Sequence, residues 1–232
     1  MLQFAPVYPW LYRVLRPAFP TCLWSGDRQR PDIALTYDDG PHPVYTLQLL
    51  DVLDHYQIVA SFFLLGVCAE RYPQVVKEIY DRGHWIGLHG YTHRLFPQLT
   101  ASELATSLQQ TRQIIITACG LTPETCPPHL FRDVRPPYGV FLPRTLMLLQ
   151  HWGYRPVMWS VVPEDWLHPG ITVATQRVLQ QVSNGSVIVL HDGYYGGRDV
   201  AETTNQLIPA LCGCSYQFVT VDHLWLLRQG LE

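Results

Sequence analysis

The chain has 232 residues, of which 47 % are hydrophobic and 15 % charged. That is too apolar for disorder and too sparsely charged for a coiled coil, and the length suffices to bury a full core without covalent staples. A formal net charge of -3 and the absence of any Lys/Arg run argue against a nucleic-acid backbone binder.

The N-terminal stretch MLQFAPVYPWLYRVLRPAFP lacks an early positive cluster, and Pro6, Pro9, Arg13 and Arg16 interrupt its apolar run. It reads poorly as a signal peptide, and no segment has the ~18 uncharged apolar residues of a transmembrane helix. The expectation is an N-terminal extension, residues 1–30, packed on one domain of residues 31–232, in a protein that is cytoplasmic or peripheral to a membrane. The six cysteines form no CxxC pair. They read as small buried hydrophobes, with disulfides open if the protein is exported.

Apolar, β-branched runs then alternate with helical patterns. Strands are expected at Ile33–Tyr37, Val59–Leu65, Trp85–His89, Phe131–Arg135, Arg155–Val161, Ser186–His191 and Gln217–Val221. Helices are expected at Tyr45–His55, Pro73–Asp81, Thr100–Cys119, Pro143–His151, Val173–Val182, Thr203–Leu211 and Asp222–Arg228. Thr100 and Glu103 have the spacing of a capping box, and Gly120 stops that helix. Alternation of this kind implies an α/β fold: a small βα barrel or a doubly wound open sheet of about seven parallel strands.

The reactive side chains fall at strand ends. Asp38 and Asp39 close the first strand, His89 the third with His93 four residues on, Arg135 the fourth, and His191 the sixth; Asp165 and Trp166 follow the fifth. The C-terminal ends of parallel strands open on one face, where βα folds keep their active sites. Two adjacent carboxylates need a cation or a proton nearby. His89 and His93 at i, i+4 can chelate one metal, and with one of the two aspartates they make a catalytic set with coordination positions left open. The prolines after Arg135 aim it rigidly, toward a catalytic carboxylate, and the Tyr138 N–H can stabilise an oxyanion. His191, at the end of an apolar strand, can serve as a general acid. Two histidines and a carboxylate also suit a non-haem iron oxygenase, but that leaves Asp38, Arg135 and His191 without a task.

In this order, Thr36-Tyr-Asp-Asp-Gly-Pro41, His89-Gly-Tyr-Thr-His93, Arg135-Pro-Pro-Tyr-Gly139, Asp165-Trp166 and Leu190-His191-Asp192 resemble the motifs of the polysaccharide deacetylase family, also called the NodB-homology domain or carbohydrate esterase family 4. The resemblance implies a distorted βα barrel and a metal-dependent hydrolase that removes N-acetyl, or O-acetyl, groups from an acetylated sugar. It implies a divalent metal, usually zinc, on Asp39, His89 and His93, with Asp38 as the general base and Arg135 holding it. The Tyr138 N–H would stabilise the oxyanion and His191 would protonate the leaving amine. Trp166, Leu190 and Pro137 would line the substrate pocket. The partner implied is an acetylated glycan.

Two positions depart from the family pattern. Gly90 stands where the family usually has Ser or Thr, so Gly90→Ser is expected to tighten the metal site if the backbone there has negative φ. Val162 stands where the family usually has the Asp partner of the acid His. The expectation is a His191 pKa at or below about 6.5 unless another acid, first Asp165 and then Glu164, takes its place. Both departures also admit a degenerate relative that binds metal and sugar with little catalysis.

Overall fold

The computed structural model describes residues 7–229. In chain order the elements are α1 (Tyr8–Ala18), β1 (Asp32–Asp38), α2 (Tyr45–His55), β2 (Ser61–Leu64), α3 (Gly66–Arg71), α4 (Pro73–Asp81), β3 (Trp85–Leu88), α5 (Ala101–Ala118), β4 (Asp133–Val134), α6 (Pro143–His151), β5 (Arg155–Pro156), α7 (Ile171–Gln181), β6 (Val187–His191), α8 (Val200–Gly213), β7 (Gln217–Phe218) and α9 (Val221–Gln229). The strands are parallel in the order β5-β4-β3-β2-β1-β6, with β7 added to the start of β1. After β5 the chain leaves β4, and Val161 bridges Ile188 of β6. The sheet curls on itself into a distorted α/β barrel that is closed through this thin seam.

Side-chain alternation sorts β1 into two faces. Ile33, Leu35 and Tyr37 face outward into a core shared with Leu49, Leu50, Leu53 and Leu207 of the flanking helices. The Tyr37 hydroxyl bonds Thr204 of α8 at 3.0 Å. Ala34, Thr36 and Asp38 have the opposite parity. Ala34 packs with Phe63, Val187, Leu23, Leu224 and Trp225, which plug the lower barrel. A third apolar cluster joins Tyr12 of α1 to Trp24, Met158, Trp159, Val162 and Val189.

Most expected helices match in position, and α5 carries the capping box: Glu103 N–H donates to Thr100 Oγ1 at 3.2 Å and Thr100 N–H to Glu103 at 2.8 Å. The strand expectations are too long except at β1, which extends one residue beyond Ile33–Tyr37 at each end. Phe131–Arg135 shrinks to two residues because Phe131 has φ +55° and Pro136-Pro137 end the pairing. Arg155–Val161 shortens because Met158 N–H turns to the Leu23 carbonyl at 2.8 Å and Ser160 N–H to Val187 at 2.9 Å. Two helices escaped the pattern. In α1, Pro9 sits at the first turn, where its missing N–H costs nothing. α3, with six residues, is too short to show a period.

The foot of the barrel holds a charge network that the sequence does not announce. Asp133, fully buried, accepts two bonds from Arg155 at 2.7 Å each and one from the Trp85 indole N–H at 2.7 Å. Arg155 reaches on to Asp222 of α9 at 2.8 Å and lies 5.4 Å from the centre of the Trp225 ring. Removing one partner of a buried pair leaves the other charge uncompensated, at a cost of about 3–5 kcal/mol. Asp133→Ala is therefore expected to cost about that much in denaturant unfolding. A loss within ~0.5 kcal/mol, the ordinary range for a surface change, would show that the network does not anchor α9.

Candidate active site

The barrel's upper end opens into a cavity of about 520 Å³ lined by Asp38, Asp39, His89, His93, Trp166 and His191, with Tyr8, Tyr138, Trp159, Val162, Val189 and Tyr195 around them. The last residue of β1 opposes the last residue of β6, so register alone sets Asp38 beside His191. His89 follows β3 directly and hydrogen-bonds back to Leu64 of β2.

Arg135 occupies the barrel interior, 1 % exposed. Its guanidinium donates to Asp38 Oδ1 at 2.6 Å, to Thr36 Oγ1 at 2.8 Å and to the Met158 carbonyl at 3.0 Å, and it lies 4.1 Å from the centre of the Phe63 ring. The expected clamp on Asp38 is thus present, and the other donors orient the clamp itself. Only one oxygen of Asp38 is used this way, and the side chain still borders the cavity.

Asp39 has φ +73°, a left-handed conformation that turns its carboxylate away from that of Asp38 and toward the histidines. Asp39 Oδ1 lies 3.4 Å from His89 Nε2 and 3.3 Å from His93 Nε2. His89 Nδ1 lies 2.7 Å from the Arg135 carbonyl. A carbonyl only accepts, so Nδ1 carries the proton and Nε2 presents its lone pair to Asp39. Burial pushes the His89 pKa down to about 3, which keeps the ring neutral. Asp39 Oδ1 is itself buried and makes no hydrogen bond. A buried carboxylate oxygen facing an imidazole lone pair lacks a positive group between them. One carboxylate oxygen and two ring nitrogens, all within 4.8 Å of one another, fit a single divalent cation.

Asp165 is the partner of His191. Its Oδ1 accepts from the His191 ring Nδ1 at 2.9 Å and its Oδ2 from the His191 backbone N–H at 2.7 Å. Burial alone would lower the imidazole pKa, but the Asp165 carboxylate outweighs it, with Asp39 and Asp38 adding, and His191 rises to about 9. The low value expected from Val162 is replaced by the contingency stated with it: a carboxylate three residues further on takes the role. Val162 instead packs in the apolar wall with Trp159 and Val189. Asp192 points away from His191, buried, and accepts from the Thr46 hydroxyl.

Three further expectations are corrected. Leu190 does not line the cavity: it has the opposite parity to His191 on β6 and is buried in the outer core, while Val189 faces the site. Pro137 is buried and lies outside the lining, and the rigid turn it builds puts Tyr138 and Gly139 there instead. Gly90 has φ +84°, so the negative φ assumed for Gly90→Ser is absent. A Cβ there would meet Phe96 Cε1 at 3.1 Å. Tyr138 is also left-handed, at φ +59°, with its ring 4.2 Å from that of His93 and its N–H bonded to no group among the described residues. Tyr8, Trp159 and Tyr195 had no recognisable motif. Only their aromatic character, in segments flanking the motifs, could have flagged them.

Gly90→Ser is now expected to destabilise the protein by roughly 1–2 kcal/mol, the cost of a side chain in left-handed backbone. Unchanged unfolding would show that the loop relaxes freely. For His191, the ring should titrate near 9 by NMR. Asp165→Asn should lower it, because burial is then opposed only by the Asp39 and Asp38 carboxylates. Since the folded pKa is raised, stability owed to the pair is complete below about pH 6.5 and fades as pH rises through about 9. A His191 resonance that titrates alike in both proteins would remove Asp165 from the account.

A family model described as polysaccharide deacetylase matches residues 25–157. A chitooligosaccharide deacetylase of Sinorhizobium fredii is 36 % identical over 163 residues, covering 70 % of this chain and 73 % of that protein. A peptidoglycan-N-acetylglucosamine deacetylase of Bacillus cereus is 32 % identical over 206 residues, 87 % of this chain and 91 % of that protein. The solved structure of the Bc1960 peptidoglycan N-acetylglucosamine deacetylase superimposes with a TM-score of 0.81 at 31 % identity, covering 88 % of this chain and 92 % of that one. Family model, relatives and barrel agree, and the chain belongs to the polysaccharide deacetylase family.

Proposed function

We propose that this protein is a metal-dependent hydrolase that removes N-acetyl groups from an acetylated amino-sugar polymer, of the chitooligosaccharide or peptidoglycan type on which its relatives are named to act. The observation that carries the reading is one cavity that brings together a clamped carboxylate, Asp38, an acid-base pair, Asp165–His191, and the Asp39, His89 and His93 set.

Asp39, His89 and His93 would hold the ion, and zinc suits one carboxylate and two imidazoles. A divalent cation there supplies Lewis acidity, which makes water a competent nucleophile at neutral pH and draws charge onto the acetyl oxygen. Asp38, fixed through one oxygen by Arg135, takes a proton from the attacking water with the other. The Tyr138 N–H is a free donor for the oxygen that becomes negative. His191, charged at neutral pH, donates a proton to the amine nitrogen as the C–N bond breaks. Water and the N-acetyl group become acetate and a free amine, and no oxidant or reductant enters.

The walls suit an acetylated sugar. Val162, Val189, Trp159 and Trp166 offer an apolar seat for the methyl group. Tyr138 and Tyr195, 64 % and 75 % exposed, present ring faces at the mouth on which sugar rings can stack. The intact Asp38–Arg135 and His191–Asp165 pairs disfavour the degenerate, binding-only alternative, which has no use for either.

The two adjacent aspartates should separate by role. On N-acetyl chitooligosaccharides and on peptidoglycan strands, Asp38→Asn is expected to keep its metal and lose about 10²–10⁴-fold in acetate release. Asp39→Asn is expected to lose the metal itself. Equal metal loss in both, measured by elemental analysis, would contradict this division. Absence of acetate release by the wild-type protein from either polymer would contradict the substrate class.

A further inference from the structure

The charge of this protein is unevenly placed. Residues 1–30 contain four arginines (Arg13, Arg16, Arg28 and Arg30) against one acid, Asp27, while the rest of the chain has twelve basic and eighteen acidic side chains. Three of those four arginines, with Arg228 from α9, line a second cavity of about 800 Å³, larger than the active-site cavity and walled in part by Tyr12. Among the described residues Asp27 is the one carboxylate in its wall, and that group already accepts from the Gln29 N–H at 2.9 Å. Arg16 and Arg28 converge on a single neutral acceptor, the Tyr12 hydroxyl, at 3.3 Å each. Arg228 donates to the backbone carbonyls of Cys22 and Pro20, and Arg16 lies near enough to oppose its charge. Among the described residues none of these four guanidiniums has a carboxylate partner within salt-bridge distance. Four guanidiniums around an open cavity, against one carboxylate among the described residues of its wall, favour an anion.

The helix beside that cavity has a second apolar face. Tyr8, Leu11, Tyr12 and Leu15 pack inward, with Tyr8 edge-on to Trp159 at 5.5 Å on the active-site wall. Val7, Trp10 and Val14, spaced three and four residues apart, share the outward face and are 47 %, 63 % and 46 % exposed. On a helical wheel Arg13 and Arg16 lie between the two faces, Arg13 next to the outward stripe. An exposed tryptophan on an apolar stripe flanked by arginines is the pattern of a helix lying in a membrane interface.

We propose that α1 and the arginine cavity form a docking site for an anionic phospholipid surface, with headgroup phosphates among Arg13, Arg16, Arg28 and Arg228 and with Trp10 at the acyl boundary. The commitment to a lipid surface over a soluble anion rests on the shared edge of the basic cavity and the tryptophan stripe. A phosphate in solution has no use for Trp10. Docking through the outer face of α1 would also hold the opposite face, and with it the Tyr8 wall of the active site, at a fixed distance from the membrane.

The test is co-sedimentation of the full chain with vesicles of phosphatidylcholine alone and with vesicles in which part of it is replaced by phosphatidylglycerol. Binding is expected to the second and not the first, and to fall with added salt. Arg13→Gln and Arg28→Gln should each weaken it roughly fivefold, the usual effect of one basic residue near an anionic surface. Trp10→Ser should weaken it with no change of charge. Among the described residues the Arg13 and Trp10 side chains make no hydrogen bond or ion pair, and both variants are expected to keep the thermal unfolding of the wild type. Equal sedimentation with both vesicles, or with neither, overturns the proposal. So does calorimetric binding of inorganic phosphate that depends on Arg13 and Arg28 without any retention on anionic vesicles, which would mark a site for a soluble anion.

Discussion

The structure above the barrel floor depends on one buried guanidinium. Arg135 is held by a hydroxyl, a carbonyl, a carboxylate and an aromatic face, from three parts of the barrel wall: Thr36 and Asp38 on β1, Met158 after β5, and Phe63 on β2. A charge this deep is tolerated only when it is paired and hydrogen-bonded, and Arg135 makes three hydrogen bonds while its Nε makes none. That requirement fixes the distance between the wall segments it joins. The same residue's carbonyl holds His89 Nδ1, so one backbone position sets both the carboxylate that acts as base and the tautomer of a metal-binding histidine. Pro136 and Pro137, which follow directly, deny the chain any easy way to shift.

Around that anchor the site divides its electrostatics by neighbour rather than by residue type. His89 is buried against a carbonyl and stays neutral, whereas His191 is buried against Asp165 and is charged well past neutrality. Both rings sit in the same cavity: burial keeps His89 neutral, whereas at His191 the Asp165 carboxylate outweighs burial. The left-handed backbone at Asp39, Gly90 and Tyr138 belongs to the same economy: three strained or glycine-only turns aim groups that a relaxed strand end would leave pointing along the barrel axis.

The strand-helix rhythm and the residues at strand ends were legible from sequence because period-two burial and the C-terminal face of parallel strands are local and topological facts. So Asp38, Asp39, His89, His93, Trp166 and His191 were expected together and line one cavity, with Arg135 bonded to Asp38 behind it. What failed depended on fine geometry. Whether Leu190 or Val189 faces the cavity turns on one residue of register. The merit of Gly90 turns on the sign of a dihedral angle that sequence does not print. Val162 stands at the family position of the His191 partner, and Asp165, the first substitute the sequence offers, is the carboxylate the loop delivers to the ring. The buried Asp133–Arg155–Asp222 network joins residues far apart in the chain, and no local pattern announces it.

The central claim is that the Asp39, His89 and His93 set holds one divalent ion on which acetate release depends. The most direct measurement is to strip the protein with a chelator and titrate zinc back while following acetate release from an N-acetyl chitooligosaccharide. The account predicts no release from the stripped protein and a rise that breaks at one ion per chain, absent in His93→Ala. Full acetate release by the stripped protein, or a rise with zinc that is undiminished in His93→Ala, would contradict it.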